Sequence, residues 1–486
     1  MRANTAIVFG AVVLTACSVG PEYKRPALEV PDNYRFQQEA PAAQSVADLG
    51  WWELYQDKQL QQLLQAALEH NRDIKIAAAR IGEARALVGV SRMSQLPQVD
   101  VSVGDTRQRN LQQAQRYSTY EIATGVIQAS FEIDLWHRLA SLNEAAQANL
   151  LATEYAREAV KVALVSDVAT AYFNLLALDQ QLRVTLRTIG NSEQFLSLTQ
   201  ARFRQGTASS LDVNRAEASL AAVRANQSDI ARQIAQTENQ LQILLGNNPD
   251  AVTRGKQDEQ SMPVPPEVPA GLPSSLIERR PDLRQAEAGL MAATANVRAA
   301  KAALFPTISL TGSYGSQSLA LSSLFSGPTK VWSYGLNVLQ MIINSERNRD
   351  QVEASRMRAE QAVLQYQSAV AQAFREVSDA LVAWQRYGEF RALQEQQVKA
   401  LQEANSHVLR RYEVGYSSYF EVIDASNSLY AAELQQAQAN RNSLVALVQL
   451  YKALGGGWAN KPEANKNTGM QQAEPPQTNL SQRGNN

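Results

Sequence analysis

The chain has 486 residues, room for more than one ordinary domain, and 46 Lys and Arg against 47 Asp and Glu leave a net charge of −1. That balance excludes the basic footprint of a nucleic-acid binder. A single cysteine, Cys17, excludes a disulfide framework. His70, His137 and His407 lie scattered without metal-ligand spacing, and no phosphate-binding Gly loop ending in Lys-Ser/Thr occurs, so neither an enzyme nor a cofactor is expected.

Residues 1–16 read as a signal segment: Arg2, then an apolar stretch from Ala6 to Leu14 too short to span a membrane. Leu14-Thr15-Ala16-Cys17 resembles a bacterial lipobox, in which Cys17 is acylated and becomes the mature N-terminus. The other reading is ordinary cleavage that leaves a free or buried thiol. Ser18 stands where an inner-membrane retention signal would place Asp. No later apolar run is long enough, unbroken, to predict a membrane-crossing helix.

The remainder repeats itself. Asp73 and Asp282, Pro97 and Pro306, Arg138 and Arg347, Val168 and Val377, Gly206 and Gly415, and Leu220 and Leu429 each stand 209 positions apart. The chain is therefore an N-terminal arm (17–71), repeat 1 (72–245), a Pro-rich linker (246–281), repeat 2 (282–454) and a polar end (455–486), of which 459–486 is expected to be disordered. Each unit predicts the same elements in order. A helix over 72–95 (282–304) stops before Pro97 (Pro306). Two strands follow, 98–107 and 120–135 (307–316 and 330–340), then a long helix over 139–204 (347–413). A Gly-containing tip turn, 205–210 (414–419), leads into a helix over 211–245 (420–454) that ends at Gly246 (Gly455), a C-cap position.

The strands alternate. Val99, Val101 and Val103 face away from Asp100, Ser102 and Gly104, and Ile127, Ala129, Phe131 and Ile133 from Gln128, Ser130 and Glu132. Ile308, Leu310 and Tyr314 alternate with Thr307, Ser309 and Thr311, and Trp332, Tyr334, Leu336 and Val338 with Ser333, Gly335 and Asn337. A half-buried soluble sheet has the same period. Three features favour a lipid-facing β-barrel instead. The strands form only two hairpins, each strand reaches the roughly 9–11 residues that span a bilayer, and Tyr117, Tyr120, Trp136, Phe325, Trp332 and Tyr334 cluster near strand ends like an interfacial girdle. Four strands cannot close a barrel, and lipid does not tolerate an open edge, so several chains must share one.

The long helix is about 99 Å at 1.5 Å per residue, and the two shorter helices laid end to end come to about 89 Å, so two short helices are expected to flank one long one. The long helix carries two seams: Ala145, Asn149, Ala152, Ala156, Ala159, Ala163, Ser166, Thr170, Phe173 and Ala177, and beside it Val162, Val165, Ala169, Tyr172 and Leu176. In repeat 2, Val363, Tyr366, Val370, Ala373, Val377, Ala380, Trp384 and Tyr387 form a matching row. An antiparallel coiled coil needs one seam; a helix in the wall of a tube needs two.

Several segments now on the page resemble the outer-membrane efflux family, the TolC-like outer-membrane factors, and above all the lipoprotein branch that works with resistance-nodulation-division pumps. They are Cys17-Ser-Val-Gly-Pro-Glu-Tyr-Lys-Arg-Pro26, Trp51-Trp52-Glu-Leu-Tyr-Gln-Asp57, Glu278-Arg-Arg-Pro-Asp-Leu283, Ala303-Leu-Phe-Pro306, Arg202-Phe-Arg-Gln-Gly206, Arg411-Tyr-Glu-Val-Gly415 and Tyr451-Lys-Ala-Leu-Gly-Gly-Gly-Trp458. The resemblance implies a mostly α fold with a membrane β-barrel: a homotrimer with a twelve-stranded barrel, four strands per chain, continuous with a periplasmic α-helical barrel. An equatorial belt would come from 18–70, 246–281 and 455–470. It implies an outer-membrane location, a lipid anchor, and as partners a periplasmic adaptor (membrane fusion) protein and an inner-membrane pump. The function expected is efflux of drugs or other small molecules. A protein-secretion duct of the same fold and a lipid-anchored periplasmic coiled-coil adaptor are the alternatives. The family commonly bends from strand four into the long helix with Pro and then Gly-Gly; here the stretch is Gln340-Met-Ile-Ile-Asn-Ser-Glu-Arg347.

The tip turns at Gly206 and Gly415 lie farthest from the strands. Asp212 and Glu421 stand near the next helix starts, where an acid is favourable in itself; Glu421 and Asp424 share one helical face. By resemblance that face lines the lumen, with Glu421 and Asp424 in threefold rings that raise carboxyl pKa values and attract cations, and Phe420 as an apolar constriction. Tyr412, Arg411, Asp212 and Arg215 are then candidates for hydrogen bonds that lock adjacent helix pairs. Ser417 occupies the position where the family often has a basic lock residue.

Overall fold

The structure is a computed structural model describing residues 19–28, 30–31, 33–36, 50–55, 57–112, 116–254, 273–342 and 345–456. The expected signal segment, Cys17, most of the linker and the polar end beyond Gly456 lie outside the described residues. In chain order the elements are α1 (Trp51–Leu54), α2 (Lys58–His70), α3 (Arg72–Met93), β1 (Gln98–Gln112), β2 (Arg116–Ile133), α4 (Arg138–Arg204), α5 (Ser210–Leu244), α6 (Pro273–Arg279), α7 (Pro281–Ala302), β3 (Thr307–Ser318), β4 (Lys330–Leu339), α8 (Ser345–Glu413) and α9 (Tyr419–Ala453).

The helices form a strip. On one side α4 packs against α3 and α5, on the other against α7 and α9, and α8 packs beyond these against α7 and α9. Both seams of α4 are therefore occupied: Ala145, Ser166 and Ala177 are buried on one, Val162, Val165, Ala169 and Tyr172 on the other. Position in the strip decides burial. α3 and α7 are equivalent elements of the two repeats, yet α3 buries only Ala77 and Ile81. α7, flanked on both sides, buries Leu283, Ala288, Leu290, Ala295, Val297 and Ala302 among others. The outer flanks keep apolar side chains exposed, Leu87, Val90 and Met93 on α3 and Met357, Leu364 and Leu393 on α8.

One stretch of α4 is apolar enough on average to cross a bilayer by length and composition, although its apolar residues form no unbroken run. Its apolarity is satisfied inside the protein: Leu164, Val165, Val168, Tyr172 and Leu175 form one core with Leu60 and Leu64 of α2, Leu241 of α5 and Val448 of α9. The Tyr172 hydroxyl, fully buried, donates to Asp57 at 2.8 Å, and the other oxygen of that carboxylate caps α2 through Gln59 N at 2.8 Å.

The arm lies along α7. Gly20 abuts Arg298, Arg25 pairs with Glu287 at 2.7 Å and with Glu278 at 2.6 Å, and Tyr34 is buried in the core around Leu276, Leu283 and Tyr366. The Arg25 guanidinium, followed by the Tyr23 hydroxyl, holds the Glu287 carboxyl below the usual carboxylate range against the opposing effect of burial. The start of the arm thus lies toward the strand end of α7.

The four strands form one antiparallel sheet in the order β1-β2-β3-β4. Registered rows run straight across it: Val101, Ile127, Tyr314 and Trp332 on one face, Asp100, Gln128, Ser313 and Ser333 on the other. The apolar row is exposed, from 51% at Ile127 to 73% at Val101. The girdle expectation needs two corrections. Trp136 stacks on Phe305 at 4.7 Å and donates to the Pro306 carbonyl at 2.8 Å, bracing the strand-to-helix junction. Tyr120 pairs with Gln108 on the polar face and donates to its side chain at 3.1 Å. Trp332 and Tyr334 stack on the apolar face; the Tyr117 side chain lies outside the described residues.

β1 runs on to Gln112, past the expected 107, and β2 begins at Arg116. β2 stops at Ile133, short of the expected 135, because Asp134 turns to cap α4, accepting from Leu139 N at 3.1 Å and Ala140 N at 2.7 Å. Arg138 grips Glu132 beside it at 2.7 Å. The corresponding bend after β4 is anchored by Asn348, whose side chain donates to the Ala303 carbonyl at 3.1 Å.

A Cβ on Gly315 would meet the Gly125 carbonyl oxygen at 2.2 Å and the Val126 Cα at 2.6 Å, while one on Gly335 meets only Thr311 at 3.5 Å. Gly315→Ala is expected to disrupt β2–β3 pairing and sharply lower the yield of heat-modifiable, membrane-inserted protein on gels. Gly335→Ala should leave it unchanged.

Candidate functional site

The two helical hairpins end in tips built to one design. Gly206 and Gly415 take left-handed conformations (φ +75° and +84°) that a side chain would strain. Each closes its helix twice. Thr207 N and Gly206 N donate to the carbonyls of Arg202 and Phe203, both at 2.9 Å; Tyr416 N and Gly415 N donate to those of Arg411 and Tyr412, at 2.8 and 3.1 Å. Three residues on, Ser209 and Ser418 cap α5 and α9. The Ser209 hydroxyl reaches Asp212 at 2.7 Å and the Ser418 hydroxyl reaches Glu421 at 3.1 Å, while the acids reach back to the cap backbone.

Asp212 and Glu421 are thus cap residues within the chain, and neither bridges to Tyr412. The Ser418 backbone N–H, helped by its hydroxyl and by Arg411, holds the Glu421 carboxyl below the usual range. Asp424 is exposed one helical turn further on.

Within the chain, cation–π contacts join the two hairpins at the tip. The Arg202 guanidinium, on α4, lies over the Tyr412 ring of α8 at 4.4 Å, and Arg215, on α5, lies over the Phe420 ring of α9 at 5.4 Å. Each such contact stabilises by about 0.5–2 kcal/mol, more as it is desolvated. Tyr412 is 6% exposed and packs with Tyr419, Val422 and Ala216 in a small core at the tip. Burial pushes the Tyr419 hydroxyl up to about 12. Phe420 is 58% exposed, and Val414 and Tyr416 stand out at 68% and 79%. Arg411 donates to the Tyr416 carbonyl at 3.3 Å and so stays within its own tip. The cation over Tyr412 is Arg202, which was not among the expected lock residues. Arg202 stood in the quoted motif, but which arginine meets which ring depends on how the hairpins dock.

Above the tip a second set of ties joins the hairpins. Arg187 on α4 pairs with the nearly buried Glu433 of α9 at 2.5 Å, and Gln402 of α8 donates to the same carboxylate at 3.3 Å. Thr185 and Tyr430 share a buried hydrogen bond at 3.0 Å. Between these ties and the tip core lies a cavity of about 420 Å³, lined by polar side chains such as Asn191, Asn405, Ser426 and Asn427. Among the described residues no group of His, Cys, Asp and Glu could hold a metal ion. The arrangement is suited to holding two hairpins together and releasing them.

Comparison with known proteins agrees with this geometry. The chain is 36% identical over 456 residues to the cation efflux system protein CusC of Escherichia coli, covering 92% of this chain and 97% of that one. It is 34% identical over 458 residues to the toluene efflux pump outer membrane protein TtgC of Pseudomonas putida, covering 92% and 94%. The crystal structure of the open state of the Neisseria gonorrhoeae MtrE outer membrane channel superposes with a TM-score of 0.80 at 30% identity, over 91% of this chain and 99% of that one. The model of the outer membrane efflux protein family matches twice, at residues 63–247 and 272–456, two segments offset by the 209 positions of the internal repeat, and the chain belongs to that family.

Proposed function

We infer that this chain is the outer-membrane duct of a tripartite efflux system, opened and closed at its helical tips. Three copies close the strip: twelve strands form the barrel in the outer membrane, and the helices continue it as a tube into the periplasm. There it works with a periplasmic adaptor and an inner-membrane pump. The observation that carries this is the strip itself, a four-stranded sheet with unpaired outer edges on β1 and β4 above a helical wall with exposed apolar flanks on α3 and α8. Its two edges are unlike, so copies join head to tail and close into a ring. The chain is a channel component and not an enzyme. One relative is named for cations and another for toluene; the cargo is what the pump delivers. Cys17, ahead of an arm that rises toward the strand end of α7, is the site of lipid anchoring.

The gate is the tip. Threefold symmetry gathers Glu421 and Asp424 into rings beside Phe420. The contacts of Arg202 with Tyr412 and Arg215 with Phe420 tie hairpin to hairpin, and opening breaks them. Arg411, Asp212, Gly206 and Gly415 shape the tips that carry those contacts. Arg202→Ala and Tyr412→Leu are therefore expected to raise closed-state single-channel conductance in planar bilayers, while Tyr412→Phe, which keeps the ring, leaves it low. Unchanged conductance in both disruptive variants rejects the tie.

The acid rings favour cations. Asp424→Asn combined with Glu421→Gln should move the reversal potential in a salt gradient toward zero; a native-like potential sinks the ring. Glu421 has a depressed folded pKa, so its cap stabilisation is complete at neutral pH and is lost only as the pH falls through and below the ordinary glutamate range. The difference in thermal stability between native protein and Glu421→Gln should follow that course on acid titration.

A further inference from the structure

The loop joining β3 to β4 does not fold over the mouth of the sheet. It folds outward and down onto the apolar face. A Cβ on Gly125, which shares that face with Ile127 and Phe131, would meet Leu324 at 3.6 Å and Phe325 at 3.8 Å. Beneath the loop Ala123, on the same face, is completely buried, and Leu324 is 1% exposed.

The loop is built, with its polar groups tied internally. Ser318 and Ser323 hydroxyls donate to the Ala320 carbonyl at 2.7 and 3.0 Å, and the Thr329 hydroxyl donates to the Leu324 carbonyl at 2.9 Å. Gln317 N closes the neck on the Thr329 carbonyl at 2.8 Å. This fixed frame presents Leu319, Leu321 and Phe325 outward, at 77%, 55% and 86% exposure.

Its height is set by the sheet. From Ile133 to Ala123 the apolar face of β2 climbs about 25 Å for a strand rising 3.3 Å per residue and tilted about 40°, which is the height of a barrel's apolar band. Beyond Ala123 the same face turns charged. Asp105 pairs with Ala123 and Arg107 with Glu121, and Arg109 follows on the same face. Lys330, exposed, stands at the loop's foot on the face of Trp332. Lys330 is in register, through Ser316 and Gly125, with Val103, so Arg107 lies three strands across and four residues along from it, about 20 Å between backbones. Hairpin ends point away from the periplasmic helices, so this rim meets the outer leaflet where hydrocarbon gives way to headgroups.

We propose that the β3–β4 loop and the basic rim beside it form a binding site for a phosphorylated lipid of the outer leaflet: acyl chains lie against Leu319, Leu321 and Phe325, and headgroup phosphates are held by Arg107 and Arg109 on one side and by Lys330 on the other. Three cations against the two carboxylates Asp105 and Glu121 leave the rim net positive, and an arginine fork suits a phosphate oxygen pair. The apolar knuckle continues the lipid-facing band and needs no protein partner to cover it.

The test uses the purified full-length trimer and a defined probe, a bis-phosphorylated, multiply acylated glucosamine disaccharide, with phosphatidylcholine and inorganic phosphate as controls. Lipid retention is read by native mass spectrometry and by the shift in trimer melting. The native trimer should retain the phosphorylated lipid and melt higher with it, and neither control should produce the shift. Arg107→Gln, Arg109→Gln and Lys330→Gln together should weaken retention by at least about tenfold; the Lys replacements of both arginines should keep most of it. Leu319→Ser, Leu321→Ser and Phe325→Ser should also weaken retention. Both sets of changes lie far from the tips, so native conductance serves as the check on assembly. Equal retention in native and charge-neutralised trimers overturns the site, as does a shift reproduced by inorganic phosphate or by phosphatidylcholine. If the glutamine variant fails to assemble, the single Arg107→Gln variant decides it: native-like assembly with undiminished phosphorylated-lipid retention would overturn the site.

Discussion

Backbone amides and carbonyls find no partner in hydrocarbon, and each one left open costs several kcal/mol. The whole architecture follows from that constraint acting on a chain with only four strands. β1 and β4 each lack a neighbour on one side, so a single copy cannot rest in a bilayer. Closing the ring by threes pairs every strand, and the same closure covers the apolar flanks of α3 and α8. The membrane therefore drives assembly of the periplasmic tube, because strands and helices belong to one continuous strip.

Stability is distributed unequally along that strip. Around α2, α4 and the end of α9 away from the tip the chain has a large core, with the Tyr172 hydroxyl held by the Asp57 carboxylate. At the tips the core shrinks to Ala216, Tyr412, Tyr419 and Val422 and a few half-buried neighbours. Small cores open at low cost. Cation–π contacts suit such a place: they hold without burying a charge pair and can be broken without leaving a desolvated ion. Higher up, the Arg187–Glu433 pair and the Thr185–Tyr430 bond join the same hairpins more deeply.

The internal repeat shows how context divides like sequences. α3 and α7 occupy equivalent positions, but one lies at the edge of the strip and the other within it, and their burial differs accordingly. Arg138 and Arg347 are equivalent too, yet the first junction is made by Asp134 and Glu132 and the second by Asn348. Duplication supplied the unit; the need to close a ring with two unlike edges let the copies diverge.

Periodicity made the fold legible in advance. Alternation of Val99, Val101 and Val103 with Asp100 and Ser102 names the apolar face without any coordinates, because a strand turns successive side chains to opposite faces. The two seams of α4 announce two neighbours for the same kind of reason, and the glycines at 206 and 415 mark the tips because a left-handed residue must end each helix. Tertiary structure decided what depends on distance between elements far apart in sequence. It gave Tyr412 to Arg202, turned Trp136 from the girdle to the Pro306 carbonyl, and laid the β3–β4 loop on the lipid face. Local pattern fixes which way a side chain points, but its partner is set by how hairpins dock, and a sequence period carries no information about docking.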